Sequence, residues 1–371
     1  MRACWRPAIL SDSWRWLLSR VSDGAPAGWD LPIFTAPGEF ASANPRENAV
    51  RIEGSKLGVV GGAGLIGSHT VDELLGEDVS EIVVFDNFAR GTRENLEGAL
   101  GDARVRIVDG DIGDRKALSE ALEGVDGAFH LAALWLLHCY DHPREGFDVN
   151  LAGTFNVLEA CRDVGAQRLV FSSSASVYGD ALEEPMTESH LFNNDTFYGA
   201  TKIAGEAMAH AFYHRSGLEY VGLRYFNVYG PRQDYRGAYV AVVMKMLDCL
   251  DRGDAPTVYG DGTQAYDFVS VRDCARANVA AMKAGAVDRC YNVCTGTRTS
   301  IGELAAVLID LTGQQVDVDY RPSEVSFVSN RIGDPTAARL DLDFVAETDL
   351  TDGLRELIDW RNDHRRRRAG D

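Results

Sequence analysis

Positive charge is scarce in this chain. Its 37 Lys and Arg are outnumbered by 56 Asp and Glu, giving a net charge of −19, and only five of the basic residues are lysine. Gripping a nucleic-acid backbone calls for clustered basic surface, so no nucleic-acid partner is expected. A small phosphorylated ligand needs only local donors and stays open. The seven cysteines (4, 139, 161, 249, 274, 290 and 294) contain no Cys-x-x-Cys and no ligand-like spacing. Buried free thiols in a reducing compartment are expected, and no metal. Nowhere do 18 apolar residues run together, so no membrane span is expected. No internal repeat is found, and the chain reads as cytoplasmic. At 371 residues and 45% apolar content it can bury a large core as one big domain or two lobes.

Residues 1–55 lack a sustained hydrophobic period. Short apolar clusters such as Trp14-Arg15-Trp16-Leu17-Leu18 lie among prolines, without the long apolar run and small-residue cleavage site of a secretory signal. A flexible extension, or a start codon set too far upstream, is expected. A short amphipathic helix around 11–21 is the alternative. At the other end, Arg365–Arg368 should cap a helix and stay solvated.

Regularity begins at Lys56. The apolar run Leu57-Gly58-Val59-Val60 reads as a buried strand and leads directly into Gly61-Gly62-Ala63-Gly64-Leu65-Ile66-Gly67. In G-x-x-G-x-x-G spacing, Gly61 permits a tight turn, Gly64 lets backbone approach a pyrophosphate, and Gly67 lets the next helix pack closely. Free N–H groups at that helix's start would hold the phosphates. A glycine-rich turn alone is weak evidence; here it follows a strand and opens a helix. The next strand ends at Asp86-Asn87, 19 residues after Gly67. An acid there can accept hydrogen bonds from an adenosine ribose and repel a 2′-phosphate, which favours NAD over NADP. The bland alternative is a turn-forming Asp.

Further strands are predicted at 104–108, 127–131 and 167–172, with helices near 114–123 and 144–164. Strands alternating with helices imply an α/β fold with a doubly wound parallel sheet. Asp111-Ile112 and Ala132-Ala133 then fall at the sheet's C-terminal edge, beside an adenine and under the crossing dinucleotide.

Tyr198 and Lys202 stand one helical turn apart in Phe197-Tyr198-Gly199-Ala200-Thr201-Lys202, so they share a helix face. A phenol beside an ammonium can act as a base towards a sugar or alcohol hydroxyl while hydride leaves the same carbon. With 13 Tyr in the chain, chance alone supplies roughly 0.2 such pairs. The pair therefore gains meaning only from its surroundings. Ser174, 24 residues earlier at a predicted strand end, adds a hydroxyl able to share the proton.

In this order the motifs resemble the extended short-chain dehydrogenase/reductase family, and within it the nucleotide-sugar epimerases. The likeness also draws on His130-Leu131-Ala132-Ala133, Asn150-Leu151-Ala152-Gly153-Thr154, Arg224 to Arg232 and Gly260-Asp261-Gly262, and spans roughly residues 56–362. It implies a Rossmann-type NAD domain over 56–223, rejoined by a segment near 265–292, and a smaller nucleotide-sugar lobe over most of 224–371. It implies that Tyr198 is the base, that Lys202 also holds the nicotinamide ribose, and that Ser174 completes the proton network. Leu65, Ile66 and Tyr225 would also touch NAD. The nucleotide sugar would meet Ser174, Ser176 and Asn227. A homodimer through helices flanking the sheet is implied as well.

The residues after Ser174 sort the chemistries within that resemblance. Dehydratases carry Asp-Glu there and decarboxylases a Glu at the position of Ser176, whereas Ala175-Ser176 offers no carboxylate. A 4-epimerase on a UDP-hexose or UDP-hexuronic acid is expected. A dehydratase or net oxidoreductase of the same family, and a non-catalytic dinucleotide sensor, are the alternatives. Two departures stand out. Val60 replaces the usual Thr, and Tyr266 replaces an Arg that faces the diphosphate, leaving Arg232, Arg236, Arg331 or Arg272 to substitute. The bulky Ala133–His138 stretch should either narrow the sugar pocket or pack in the core, and His138 and His142 either contact substrate or are structural.

Overall fold

The computed structural model describes residues 51–234, 241–322 and 330–369. The expected extension up to residue 50, with its alternative helix at 11–21, and Arg236 lie outside the described residues. Residues 51–55 are described: Ile52 is buried, and the Gly54 amide donates to the Asp78 carbonyl.

Seven parallel strands form the central sheet. They are β1 (Lys56–Val60), β2 (Glu81–Asp86), β3 (Val105–Asp109), β4 (Gly127–His130), β5 (Arg168–Ser174), β6 (Glu219–Tyr225) and β11 (Arg289–Val293). Their spatial order is β11-β6-β5-β4-β1-β2-β3. The chain leaves β1 in one direction for β2 and β3 and in the other for β4 to β6, so the order reverses between β1 and β4. A crevice at the strands' C-terminal ends is the natural ligand site at such a switch. Helices cover both faces, which is why β1 and β2 are apolar almost throughout rather than alternating. On one face lie α1 (Leu65–Leu75) and α8 (Val271–Lys283), joined where Asn278 Nδ2 donates to Thr70 Oγ1 at 2.9 Å. On the other lie α2 (Arg115–Ala121), α5 (Thr154–Asp163) and α6 (Phe197–Ser216), closing a core that includes Val83, Phe85, Leu158, Leu169 and Phe212.

The 20-residue helix α6 presents the Tyr198–Lys202 face. Thr196 caps its start by accepting from the Gly199 amide at 3.0 Å, and Gly217 ends it with φ of 76°. The helix expected over 144–164 is present from Pro143 to Asp163, with a wide π-turn over Phe147–Gly153 between its first turn and α5. The cause is Asn150, whose buried amide accepts from the Leu134 amide at 2.7 Å and donates to the Leu134 carbonyl at 2.9 Å. Widening the helix brings that side chain inward.

Late in the chain, β11 pairs with β6 in the central sheet and α8 packs against α1. The strand pairs β7 (Asn227–Tyr229) with β10 (Phe268–Ser270), and β9 (Ala265–Tyr266) with β12 (Thr299–Ser300) and β14 (Asn330–Arg331), form separate small sheets. A further buried cluster is formed by Met244, Leu247, Leu250, Leu304, Leu308 and Leu357. Among the described residues no helix is long and apolar enough to cross a membrane.

Candidate active site

Two glycines of the turn stand where the main chain leaves no room for a Cβ. Gly61 has φ of 82°, and a Cβ there would strike the main chain of Leu131 and Ala132. At Gly67 a Cβ would strike the Gly61 carbonyl, so α1 can approach the turn only without one. Gly64 caps α1, and a Cβ there would meet only the Gly61 oxygen, at 3.3 Å. Over this turn lies a cleft of about 490 Å³. Gly61, Gly64, Leu65, Ile66, Gly67, Asp86, Asn87, Asp111, Ile112, Ala132 and Ala133 all line it.

Asp86 is held rigidly: its carboxylate accepts from the Ala63 amide at 2.9 Å and the Phe88 amide at 2.8 Å. Burial pushes its pKa up despite those bonds. Asn87 donates to Asp111 at 2.7 Å, tying together the chain just past β2 and β3 at the edge of the cleft. The donors at α1, the unhindered Gly64 and the acid at Asp86 suit a diphosphate flanked by a ribose. Arg90 lies 3.8 Å from the centre of the Trp135 ring and pairs with Asp234 at 3.6 Å, forming one wall of the cleft.

A second cleft of about 690 Å³ adjoins the first, sharing Ile66, Gln233 and Ala241. Ser174, Tyr198, Tyr225, Asn227, Tyr266 and Arg331 line it. Tyr198 lies beside Ser174 in this cleft, and burial pushes its pKa up to about 12. Lys202 is buried beneath, donates to the Ser172 carbonyl at 2.7 Å, and is brought down to about 8 by the same desolvation. An ammonium beside a phenol lowers its pKa, but here burial dominates and the Lys202 ammonium is turned to the main chain of β5. Tyr225 sends its hydroxyl to Asn278 at 2.6 Å and so faces α8 with its polar end.

The predicted arginines separate. Arg331 is buried, donates to the Gly179 carbonyl from Nε and Nη2, and reaches Ser176 Oγ at 3.5 Å from Nη1. Its strand pairs it with Tyr266. No carboxylate among the described residues forms an ion pair with it, and burial brings its pKa down to about 10. Arg232 lines the first cleft instead and is paired with Asp72 at 2.7 Å. Arg272 is half-exposed on α8 and bonded to Glu356. Trp135 and His138 line the first cleft, and Leu136 and Leu137 the second. His138 bonds Glu145 at 2.7 Å, and His142 lies 3.9 Å from the same carboxylate.

Sequence reasoning missed the support beneath this centre. Glu206, one turn past Lys202, accepts from Ser173 and from Arg224 at 2.9 and 2.7 Å. Arg224 also donates to the Tyr178 hydroxyl at 2.8 Å, and Tyr178 donates to Asn292 at 2.7 Å. These buried bonds lock β5, β6, β11 and α6 in register around Ser174 and Tyr198. Cys139 is buried close enough to Tyr198 and Lys202 to influence both, and it accepts from Asn150 Nδ2 at 3.5 Å. The fixed i, i+4 run Tyr198, Lys202, Glu206 was the signal available for Glu206.

Two strand-end clefts, one shaped for a dinucleotide and one holding a Tyr–Lys–Ser centre, define an enzyme of nicotinamide-linked hydride chemistry. Residues 57–294 match the model of the NAD dependent epimerase/dehydratase family. UDP-glucose 4-epimerase of Lacticaseibacillus casei is 32% identical over 330 residues, covering 83% of this chain and 97% of that one. UDP-glucuronic acid decarboxylase 1 of Arabidopsis thaliana is 31% identical over 314 residues, covering 83% of this chain and 70% of the other. The dTDP-glucose 4,6-dehydratase DesIV of Streptomyces venezuelae, solved with NAD bound, superposes with a TM-score of 0.78 at 28% identity, covering 84% and 98%. The chain belongs to the NAD-dependent epimerase/dehydratase family, and NAD is its cofactor.

Proposed function

We propose that the protein is a nucleotide-sugar 4-epimerase acting on a UDP-hexose or UDP-hexuronic acid. The observation that carries this reading is the pair Ala175-Ser176 beside the centre. Both are buried, and Ser176 meets Arg331 rather than presenting an acid. A 4-keto intermediate held here meets no carboxylate from these two positions, where the related dehydratases and decarboxylases carry theirs, to drive loss of water or CO2.

Tyr198, as the phenolate, takes the proton of the C4 hydroxyl and returns it, with the Ser174 hydroxyl lining the same cleft to share it. Lys202 places a buried positive charge under the phenol. NAD, when bound, supplies the hydride acceptor and donor for C4. Asn227 and Arg331, which line the second cleft, anchor the nucleotide sugar, with buried Ser176 behind Arg331. Arg331 has no acidic partner among the described residues and lies near Tyr198, which favours an anionic sugar, a hexuronic acid, over a neutral hexose. Half-exposed Phe155 on α5 and the exposed Ala200, Ala207 and Ala211 on α6 support a homodimer through this helix pair.

The test is incubation with UDP-glucose, UDP-glucuronic acid and other nucleotide sugars, reading C4 configuration by NMR. A C4-deuterated substrate should give the epimer with its label retained. Label washed into solvent, stoichiometric NADH, or a product lacking water or CO2 would overturn the reading.

A further inference from the structure

The carboxyl-terminal end of α6 carries a second cluster that the chemistry above does not use. His210 and His214 are four residues apart, so both rings leave the same side of the helix, with centroids 4.4 Å apart. Facing them is Asp288, immediately before β11. His210 Nδ1 lies 2.7 Å from one carboxylate oxygen and His214 Nε2 lies 3.2 Å from the other. All the ligand atoms fall within 4.8 Å of one another. The group lies 12–16 residues past Tyr198, about 18–24 Å along the helix axis.

We propose that His210, His214 and Asp288 form a binding site for a divalent transition-metal ion of the zinc type. Two imidazoles and a carboxylate are a donor set that such ions favour. Ligand atoms on a tetrahedral ion with bonds near 2.05 Å lie about 3.3 Å apart, close to the spacing already present. Three protein ligands with both histidines exposed leave the fourth position to water.

The position adds two further reasons. The site lies in the last two turns of α6, where unpaired carbonyls make the helix end favourable to a cation. Asp288 is also held in place for the task. It takes φ of 56° and donates its amide to the Tyr220 carbonyl at 2.9 Å, which fixes the main chain from which its carboxylate reaches the two rings. A bound ion would join α6 to the approach to β11 across 74–78 residues of sequence, steadying the far end of the helix that carries Tyr198 and Lys202.

The alternative for the same geometry is a pair of His–Asp contacts with no ion, and titration separates the two. Full-length protein is stripped with chelator, dialysed, and titrated with Zn2+ by calorimetry. The site predicts one equivalent bound with Kd at or below about 10 μM and a saturable rise in Tm. The H210Q/H214Q double variant, on an exposed surface, should fold, weaken that binding at least about tenfold and lose the Tm rise. The H142Q variant, at the other His pair, should retain both. Co2+ in place of Zn2+ should give the visible bands of a tetrahedral site in the wild type only. Binding confined to millimolar Zn2+, or binding and Tm rise unchanged in the double variant, overturns the proposal.

Discussion

The ammonium of Lys202 lies 5.7 Å from the centre of the Tyr198 ring, yet its hydrogen bond goes to the main-chain oxygen of Ser172 at 2.7 Å. The two groups share a helix face without touching. Their pKa values are displaced in opposite directions by one cause, the loss of water, with Tyr198 up at about 12 and Lys202 down at about 8. Each is held away from its charged form, as groups poised for proton transfer often are.

Replacing the phenol removes the proton acceptor and leaves the ring. Y198F should fold, bind NAD with near wild-type affinity and lose turnover by about 10²–10⁴-fold. Fluorescence titration with NADH and a sugar-nucleotide turnover assay read the two effects separately. Near-normal turnover would remove Tyr198 from the mechanism.

The depressed Lys202 makes a prediction about stability. Its ordinary value of 10.5 falls to about 8 on folding. Between those values the unfolded chain holds a proton that the folded one has released, so stability rises with pH there. Below pH 8 the burial of the ammonium is unfavourable by on the order of 3 kcal/mol. The bond to Ser172 returns about 1–2 kcal/mol of that. K202M should therefore be inactive but more stable than wild type at pH 7, by about 1–2 kcal/mol. The gap should close as pH rises from 8 past 10.5, followed by urea melts. A variant less stable than wild type at pH 7 would show that the ammonium's bonds outweigh its desolvation.

The parts of this site that were legible in sequence are those fixed by local rules. Buried parallel strands must be apolar on both faces, so β1 and β2 stand out, and a four-residue spacing places Tyr198 and Lys202 together whatever else the chain does. Long-range partnerships left no such trace. The π-turn around Asn150 depends on Leu134, 16 residues away, and the stretch 144–164 reads as ordinary helix without that contact. Likewise nothing local says that Arg232 will be taken by Asp72 while Arg331 is not taken by any described carboxylate.

Asp86 has two jobs, and its variants should separate them. Its carboxylate anchors the Ala63 and Phe88 amides, and its remaining lone pairs face the first cleft. D86A should lose about 1–3 kcal/mol of stability from the unsatisfied amides. It should also weaken NAD and narrow the preference over NADP, because the repulsion of a 2′-phosphate goes with the charge. Kd values for both dinucleotides check this. An unchanged NAD/NADP ratio would leave Asp86 as a turn residue only.

The guanidinium of Arg331 tests which sugar the second cleft takes. It is buried, satisfied on one side by the Gly179 carbonyl, and in no ion pair with a carboxylate among the described residues, with Asp180 and Asp195 acting on it only at longer range. An anionic substituent reaching it would form a charge-assisted bond worth about 1.5–3 kcal/mol, or roughly 10–150-fold in KM. R331M should therefore raise KM for UDP-glucuronic acid by that factor and change KM for UDP-glucose by less than about threefold. If both sugars lose equally, Arg331 serves the diphosphate they share. If neither changes, its role is confined to holding Gly179 and Ser176, and the hexose reading stands over the hexuronic one.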